Sequence, residues 1–385
     1  MRATVSQHRL NKNRQLCRLS NMAVAAVLFV CTACNNQSDA GAVHDSERRP
    51  QQDKSKSTAK LSRDSTAIKP GIWVNAEELA KLPQNGPAWD NLLGEANKPT
   101  GTPDLSNQDS PVNVRVLAKA LVYARTGEKE YREQVVAACM NAIGTEDSGK
   151  TLALGRELAA YVIAADLVSL PPNDDEKFRK WLQELLSKEL DGKTLRYTHE
   201  IRPNNWGTHA GASRAAIAVY LNDHSELERT AQVFKGWLGD RDTYAGFEFG
   251  KLDWQANLTT PVGINPKGAH RAGHSIDGVL PDDQRRYGGF SWPPPTANYV
   301  YGALQGAMAQ AVILSRAGYK VWDWEDRALL RAFQWLHQQA NYAPDGDDVW
   351  LLPLVDYYYG TNFWNGAPTR PGKNLGWTDW THGGR

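Results

Sequence analysis

The sequence has few cysteines and almost no net charge. Of its 4 Cys in 385 residues, three lie in the first 34 positions. If the residues before Cys34 are removed by processing and Cys34 carries a lipid, only Cys139 remains as a free thiol, which excludes a disulfide scaffold. The formal net charge of +1 gives no basic footprint for nucleic acid. An anionic substrate would therefore need positive charge that is concentrated locally.

Long apolar runs are also lacking at the N-terminus. The run 22–30 is too short to span a bilayer, and it follows a basic start, so 1–34 is predicted to be a signal peptide. Its end, Cys31-Thr32-Ala33-Cys34, resembles a bacterial lipobox with Cys34 as the lipidated residue. We expect a periplasmic or outer-membrane lipoprotein that touches the membrane only through this lipid. An ordinary secretory peptide is the alternative.

Large apolar side chains are nearly absent from 35–68, which cannot bury a core and is predicted to be a flexible polar tether. The folded domain is expected over 69–385. There, apolar residues recur at three-to-four spacing in several segments: 129–143, 151–169, 175–190, 206–222, 225–239, 295–317 and 325–341. Paired helices with short links, without alternating strands before residue 340, predict an all-α fold. The expected architecture is an α/α toroid, an incomplete barrel of helical hairpins with long loops over a groove.

Two stretches lack this periodicity. The segment 241–290 is too long for an ordinary connection, so it is predicted to be a functional loop. The segment 350–385 is rich in Trp, Tyr, Gly and Asn and is expected to be irregular chain packed on the domain. The sequence has 14 Trp, which serve either as large core residues or as stacking platforms for sugars.

Three polar clusters contain candidate site residues. The first is Arg202-Pro-Asn204-Asn205-Trp206-Gly-Thr-His209, just before a helix. One Asn at a helix start is an N-cap. Two adjacent Asn exceed what capping needs, and a side-chain amide near a helix N-terminus can bind a substrate carboxylate.

The second cluster contains His270, Arg271, His274 and Asp277 in a polar, Gly-rich stretch. Two His beside an Arg favour contact with an anion or a sugar. A metal site built from the two His and the Asp is the weaker alternative, since no matching partner motif is present. No metal or other cofactor is expected.

The third cluster places paired acids and paired arginines ahead of a helix that begins near Tyr299 and Tyr301. Salt bridges between Asp282 or Asp283 and at least one of the two arginines, Arg285 and Arg286, are expected. Tyr299 shares a helical face with small residues, so it is predicted to look into the toroid. A buried packing role for Tyr299 is the alternative.

These segments resemble the alginate lyase superfamily of polysaccharide lyases, which are α/α toroids that cleave uronic-acid polymers. The family has an Asn-Asn-His segment before an inner helix, matched here by Asn204-Asn205-Trp206. It also has an Arg-rich segment leading to a Tyr-x-x-Tyr-Ala-Leu-like helix, matched here by Arg285-Arg286 and then Tyr299-Val-Tyr301-Gly-Ala-Leu304. Trp206 stands where the family has His, and the insertion 288–295 separates the arginines from Tyr299.

The resemblance implies a β-elimination in which Asn205 neutralises the substrate carboxylate, Arg286 or Arg285 assists, and Tyr299 transfers protons. His209, His270 or His274 would replace the missing family His. The catalytic set is therefore Tyr299, Asn205, His209 and Arg286. The residues expected to bind substrate are Asn204, Trp206, His270, Arg271, His274, Arg285 and Tyr301. The partner is an anionic polysaccharide such as alginate, glucuronan or a similar uronate polymer.

The sequence is also compatible with two other classes of function. A glycoside hydrolase on the same toroid needs two carboxylates facing across the groove, such as Asp253 and Asp283. A non-catalytic glycan-binding lipoprotein would keep the aromatic residues without needing a Tyr, His and Arg set. Unsaturated product absorbing in the near-ultraviolet distinguishes a lyase from both.

Overall fold

The computed structural model describes residues 61–296 and 298–384. The predicted lipobox at Cys34 lies outside the described residues, as does most of the predicted tether. The helices are α1 Ala76–Ala80, α2 Pro87–Ala96, α3 Val112–Thr126, α4 Lys129–Ala142, α5 Thr151–Val168, α6 Pro172–Leu185, α7 Leu195–Ile201, α8 Asn205–Leu221, α9 His224–Leu238, α10 Pro281–Gln284, α11 Asn298–Arg316, α12 Trp324–Gln338, α13 Leu351–Tyr359 and α14 Thr378–Thr381. The hairpin of β1 (His270–Arg271) and β2 (His274–Ser275) is the one sheet in the described part of the chain.

Helical hairpins build the fold. The successive pairs are α3/α4, α5/α6, α8/α9 and α11/α12. Their first helices pack on one another in order, α3 on α5, α5 on α8 and α8 on α11, and so form an inner row. The middle residues of these inner helices are mostly apolar and buried, and α5 is buried along nearly all of its length. The predicted all-α toroid is confirmed.

The C-terminal segment joins the two ends of this row. Helix α13 packs on α11, α14 packs on α13, and α14 also contacts α2 beside α3. Trp380 donates from Nε1 to the Pro83 carbonyl at 2.9 Å, and its ring lies 5.2 Å from that of Trp89. The expectation of an irregular stretch over 350–385 is therefore wrong in part, because α13 carries an apolar face, Leu351–Val355, that the core buries.

Side-chain caps mark two of the helix starts. Asn75 and Glu78 form a capping box at the start of α1, and Asn204 caps α8 by accepting from the Trp206 amide. The last residues of the predicted tether, from 61 on, lie against the domain: the Asp64 amide donates to the Gly318 carbonyl at 2.9 Å. Among the described residues, no helix combines the length and apolarity that a membrane crossing requires.

Candidate active site

The N-terminal halves of α5, α8 and α11 approach one another closely around His209. A Cβ added at Gly155 of α5 would lie 2.9 Å from the backbone nitrogen of Ala210. A Cβ added at Gly306 of α11 would lie 2.5 Å from the backbone nitrogen of His209. Glycine at both positions therefore lets the two helices press against the same turn of α8. This arrangement brings side chains from three inner helices to one end of the toroid.

Two adjacent aspartates hold the start of α8. Asn204 donates from Nδ2 to Asp282 at 3.0 Å, and the backbone amide of Asn205 donates to Asp283 Oδ1 at 3.1 Å. Both Asn side chains are buried, but they differ in function. The amide of Asn204 is used for capping and for the link to Asp282, whereas Asn205 Oδ1 has no hydrogen-bond partner within the described residues.

Asn205 faces the open side of α11. A Cβ at Gly302 would lie 3.9 Å from both Cβ and Nδ2 of Asn205. Tyr299 precedes Gly302 by three residues, so the two positions share one face of α11. The lack of a side chain at Gly302 leaves space in front of Asn205 on the face that carries Tyr299.

Arg285 and Arg286 have different environments. Arg285 donates from Nε to Asp282 Oδ1 at 2.7 Å, which is the expected salt bridge. Arg286 is exposed, and its guanidinium carbon lies 4.3 Å from the ring centroid of Tyr299. The structure therefore ties Arg285 to the support of α8 and places Arg286 beside Tyr299.

Tyr299 is half-buried at the mouth of the toroid. Its ring lies 5.7 Å from that of Tyr287, whose hydroxyl donates to Asn298 Oδ1 at 2.8 Å. Arg286 and Tyr287 thus hold the Tyr299 ring from two sides. In the described part of the chain, the Tyr299 hydroxyl makes no hydrogen bond with another residue, which leaves it available to a ligand.

Burial keeps two further groups at this end uncharged. Burial, reinforced by the charge of Asp282, holds the pKa of Asp283 well above its usual range. Burial, with the positive charges of Arg156 and Lys373, holds the pKa of His209 well below its usual range. A neutral Asp283 does not repel an anionic ligand, and a neutral His209 supplies no positive charge to attract one.

Trp206 is half-buried beside Asn205, and the Arg202 guanidinium lies 5.4 Å from its ring centroid. Trp206 thus flanks the start of α8 as a stacking surface.

Tyr301 was expected to bind substrate, but the structure places it in the core. It is 0% exposed, and its hydroxyl donates to the Tyr342 carbonyl at 2.6 Å.

The residues of the second cluster contact a separate part of the structure. His274 stacks on Trp292 with 4.3 Å between ring centroids. Arg271 donates to the Gln255 carbonyl at 3.0 Å, and His270 Nδ1 lies 2.8 Å from the Gly268 carbonyl. Asp277 pairs with Arg331 at 2.5 Å. The residues of this cluster thus have partners in the long loop, at Trp292 and in α12. Across the described chain no group of three or more His, Cys, Asp or Glu is arranged to hold a metal ion.

Sequence reasoning missed several polar residues at this end of the toroid. Arg156 and Glu157 are buried in the otherwise apolar helix α5. Lys373 and Asp348 reach the same region from loops held on α11 by Gln305, which donates to Asp348 Oδ1 at 2.7 Å and accepts from the Lys373 amide at 3.0 Å. An Arg-Glu pair inside an apolar run is the one sequence signal that could have identified this region.

A model of the alginate lyase family matches residues 46–243, just over half of the chain. The chain belongs to the alginate lyase family. This membership confirms the resemblance and makes the protein a polysaccharide lyase. The match includes Asn204, Asn205 and His209 but ends before Arg286 and Tyr299.

Solved structures agree on the fold of this family member. The crystal structure of an alginate lyase from Bacteroides ovatus superposes with a TM-score of 0.50 at 12% sequence identity, covering 75% of this chain and 92% of that chain. At such low identity the likeness supports the fold alone. No curated protein matches the sequence.

Proposed function

We propose that this polysaccharide lyase cleaves a uronic-acid polymer, such as alginate or glucuronan, by β-elimination, with Tyr299 transferring the proton. One observation carries the proposal: the Tyr299 ring lies 4.3 Å from the Arg286 guanidinium, on the face of α11 that also holds Gly302 opposite Asn205. This arrangement supports a proton-transfer group next to a site for a carboxylate.

The reaction needs a base, a neutralised carboxylate and an acid. Tyr299, as phenolate, takes the C5 proton of the uronate, and the electron pair moves into the carboxylate to give an enolate-like species. The C4–O4 bond then breaks, a C4=C5 double bond forms, and O4 takes a proton from Tyr299. Proton transfer by a positioned side chain contributes about 10²–10⁴-fold to such a rate.

Hydrogen-bond donors around the carboxylate stabilise the charge that develops on it. In this proposal the Asn205 amide, at the N-terminus of α8, donates Nδ2 to a carboxylate oxygen, and the helix dipole favours negative charge there. Arg286 adds positive charge beside Tyr299. This charge stabilises the Tyr299 phenolate before it takes the C5 proton. Trp206 offers a stacking surface to a sugar ring at the edge of the site.

The N-terminal segment supports a proposed location. The apolar run 22–30 and the Cys31-Thr32-Ala33-Cys34 segment support a lipoprotein anchored through Cys34, in the periplasm or on the outer membrane. A tether between Cys34 and the domain would hold the active site away from the membrane surface.

A panel of uronate polymers tests the proposed function. The purified protein should release unsaturated oligosaccharides, seen as near-ultraviolet absorbance, from at least one of alginate, polymannuronate, polyguluronate and glucuronan. New reducing ends without this absorbance would identify a hydrolase instead. The absence of both products from the whole panel would contradict a uronate substrate.

A further inference from the structure

Arg156 is a buried cation at the end of the toroid that holds Asn205 and His209. It lies in the second turn of α5 and is 7% exposed. The preceding residue, Gly155, packs directly on His209 and Ala210 of α8. Positive charge from Arg156 also helps to keep His209 neutral. Its guanidinium is therefore close to the first turns of α8.

No hydrogen bond or ion pair satisfies Arg156 within residues 61–296 and 298–384. Its Nε is buried without a partner. Other buried arginines behave differently: Arg214 pairs with Glu200 and Glu226, and Arg331 bonds to Asp277 and to three backbone carbonyls. A buried charge without a partner is costly, and proteins rarely keep one without a role.

None of the acidic groups that the structure describes around Arg156 forms an ion pair with it. Asp109 pairs with Lys373 at 3.1 Å, and Asp348 accepts from Gln305 at 2.7 Å. Burial raises the pKa of Glu157 to about 10, so this neighbour is neutral at physiological pH. Asp347 influences Arg156 electrostatically but forms no ion pair with it among the described residues. The positive charge of Arg156 is therefore left for an anion from outside the chain.

We infer that Arg156 binds the carboxylate of the uronate in the active site and supplies the positive charge that neutralises it. The inference rests on the proposed function and identifies a residue outside the two segments that carry the family resemblance. Arg285 is held by Asp282, Arg286 stacks on Tyr299, and His209 is neutral. A planar guanidinium matches a carboxylate by two parallel hydrogen bonds, and Asn205 adds a donor from α8.

Removal of this charge should lower activity without lowering stability. Arg156→Gln keeps a helix-forming polar side chain, removes an unpaired buried charge, and should leave the melting temperature unchanged or higher. The matched control is Arg331→Gln, which breaks a satisfied network and should lower the melting temperature. On the best polymer, kcat/KM of Arg156→Gln should fall by about 100-fold, the scale of losing one donor to a developing oxyanion, and Arg156→Lys should recover part of it.

Binding of a simple carboxylate sugar separates this inference from the proposed function. Sodium glucuronate should raise the melting temperature of the wild type more than glucose does, and this difference should vanish in Arg156→Gln. Equal glucuronate shifts in both proteins, or a fall in melting temperature on Arg156→Gln together with normal kcat/KM, would overturn the role of Arg156. A wild type inactive on every uronate polymer would instead contradict the proposed function, and the glucuronate shift would still decide whether Arg156 binds carboxylate.

Discussion

The guanidinium of Arg286 lies 4.3 Å from the ring centroid of Tyr299, although 12 residues separate the two positions. The insertion 288–295 thus does not prevent the arginine from reaching the tyrosine. Its own contacts are with other residues: Trp292 stacks on His274, and Gln284 donates to the Pro295 carbonyl. Arg286 and Tyr299 are therefore in contact even though the insertion 288–295 lengthens the chain between them.

Arg286→Gln should reduce kcat by about tenfold or more, equivalent to about 1.4 kcal/mol of transition-state stabilisation. The change removes positive charge beside Tyr299, and loss of an exposed cation–π contact costs only about 0.5–1 kcal/mol of stability. Arg327→Gln is the matched control, because Arg327 also lies over a tyrosine, 4.9 Å from the Tyr359 ring. An equal loss of kcat in both variants would show that Arg286 has no special role.

Two glycines of α11, one turn apart, should respond oppositely to alanine. Gly302→Ala places a methyl group at ordinary contact distance from Asn205, 3.9 Å, and should gain up to about 1 kcal/mol from helix propensity. Gly306→Ala would bring Cβ to 2.5 Å from the His209 backbone, so α8 and α11 must separate and the protein should lose stability. Urea denaturation of both variants tests this, and equal stability would contradict the packing described.

Asp348 should make the stability of the protein depend on pH. Burial raises its pKa to about 7 in the folded state, against about 3.9 in the unfolded chain. Between these values the folded state keeps a proton that the unfolded state has lost, so the contribution to stability falls as pH rises from about 4 to 7. Asp348→Asn removes this cost and keeps the Oδ1 acceptor for Gln305.

The free energy of unfolding of Asp348→Asn should therefore exceed that of the wild type at pH 7.5, and the gap should shrink at pH 4.5. Urea denaturation at the two pH values gives this comparison directly. A gap that is constant across pH would mean that Asp348 titrates normally in the folded protein.

The sequence predicted the helical hairpins well because their apolar spacing is local information. The inner helices α5, α8 and α11 begin within three residues of the predicted positions. Tyr299 and Tyr301 show where such information is insufficient. Residues two positions apart on a helix differ by about 200° in direction, so Tyr299 faces the mouth and Tyr301 enters the core. The small neighbours of Tyr299 favoured the first placement, whereas nothing in the sequence around Tyr301 indicated its burial.

The sequence marks Arg156 only as a charged residue inside an apolar run and does not show that it lacks a partner. Its defining property is the lack of a partner, and this depends on Lys373 engaging Asp109 and Gln305 engaging Asp348 across distant parts of the chain. The hydrogen bond between Asn204 and Asp282 could not be predicted either, because these residues are 78 positions apart in the sequence. Capping of α8 by one of the two adjacent Asn was predictable, whereas the aspartates that hold this helix start were expected only to pair with arginine.

Cys34→Ala should release the protein from the membrane fraction into the soluble fraction, because the proposed lipid is the only membrane contact expected. Cys17→Ala is the matched control, since it lies in the basic segment before the apolar run and should leave partitioning unchanged. Fractionation of cells followed by immunodetection measures this. Unchanged membrane association of Cys34→Ala would contradict the lipoprotein proposal.

Replacement of Tyr299 by Phe tests the proposed mechanism most directly, because it keeps the ring against Arg286 and Tyr287 and removes only the hydroxyl. The matched variant is Tyr301→Phe, which loses the buried hydrogen bond to Tyr342 at a cost of about 1 kcal/mol in stability and should keep near-normal turnover. For Tyr299→Phe, near-ultraviolet absorbance of the unsaturated product should appear about a hundredfold or more slowly, the scale of losing acid–base catalysis, with an unchanged melting temperature. A folded Tyr299→Phe variant that forms this product at a rate close to that of the wild type would contradict the account.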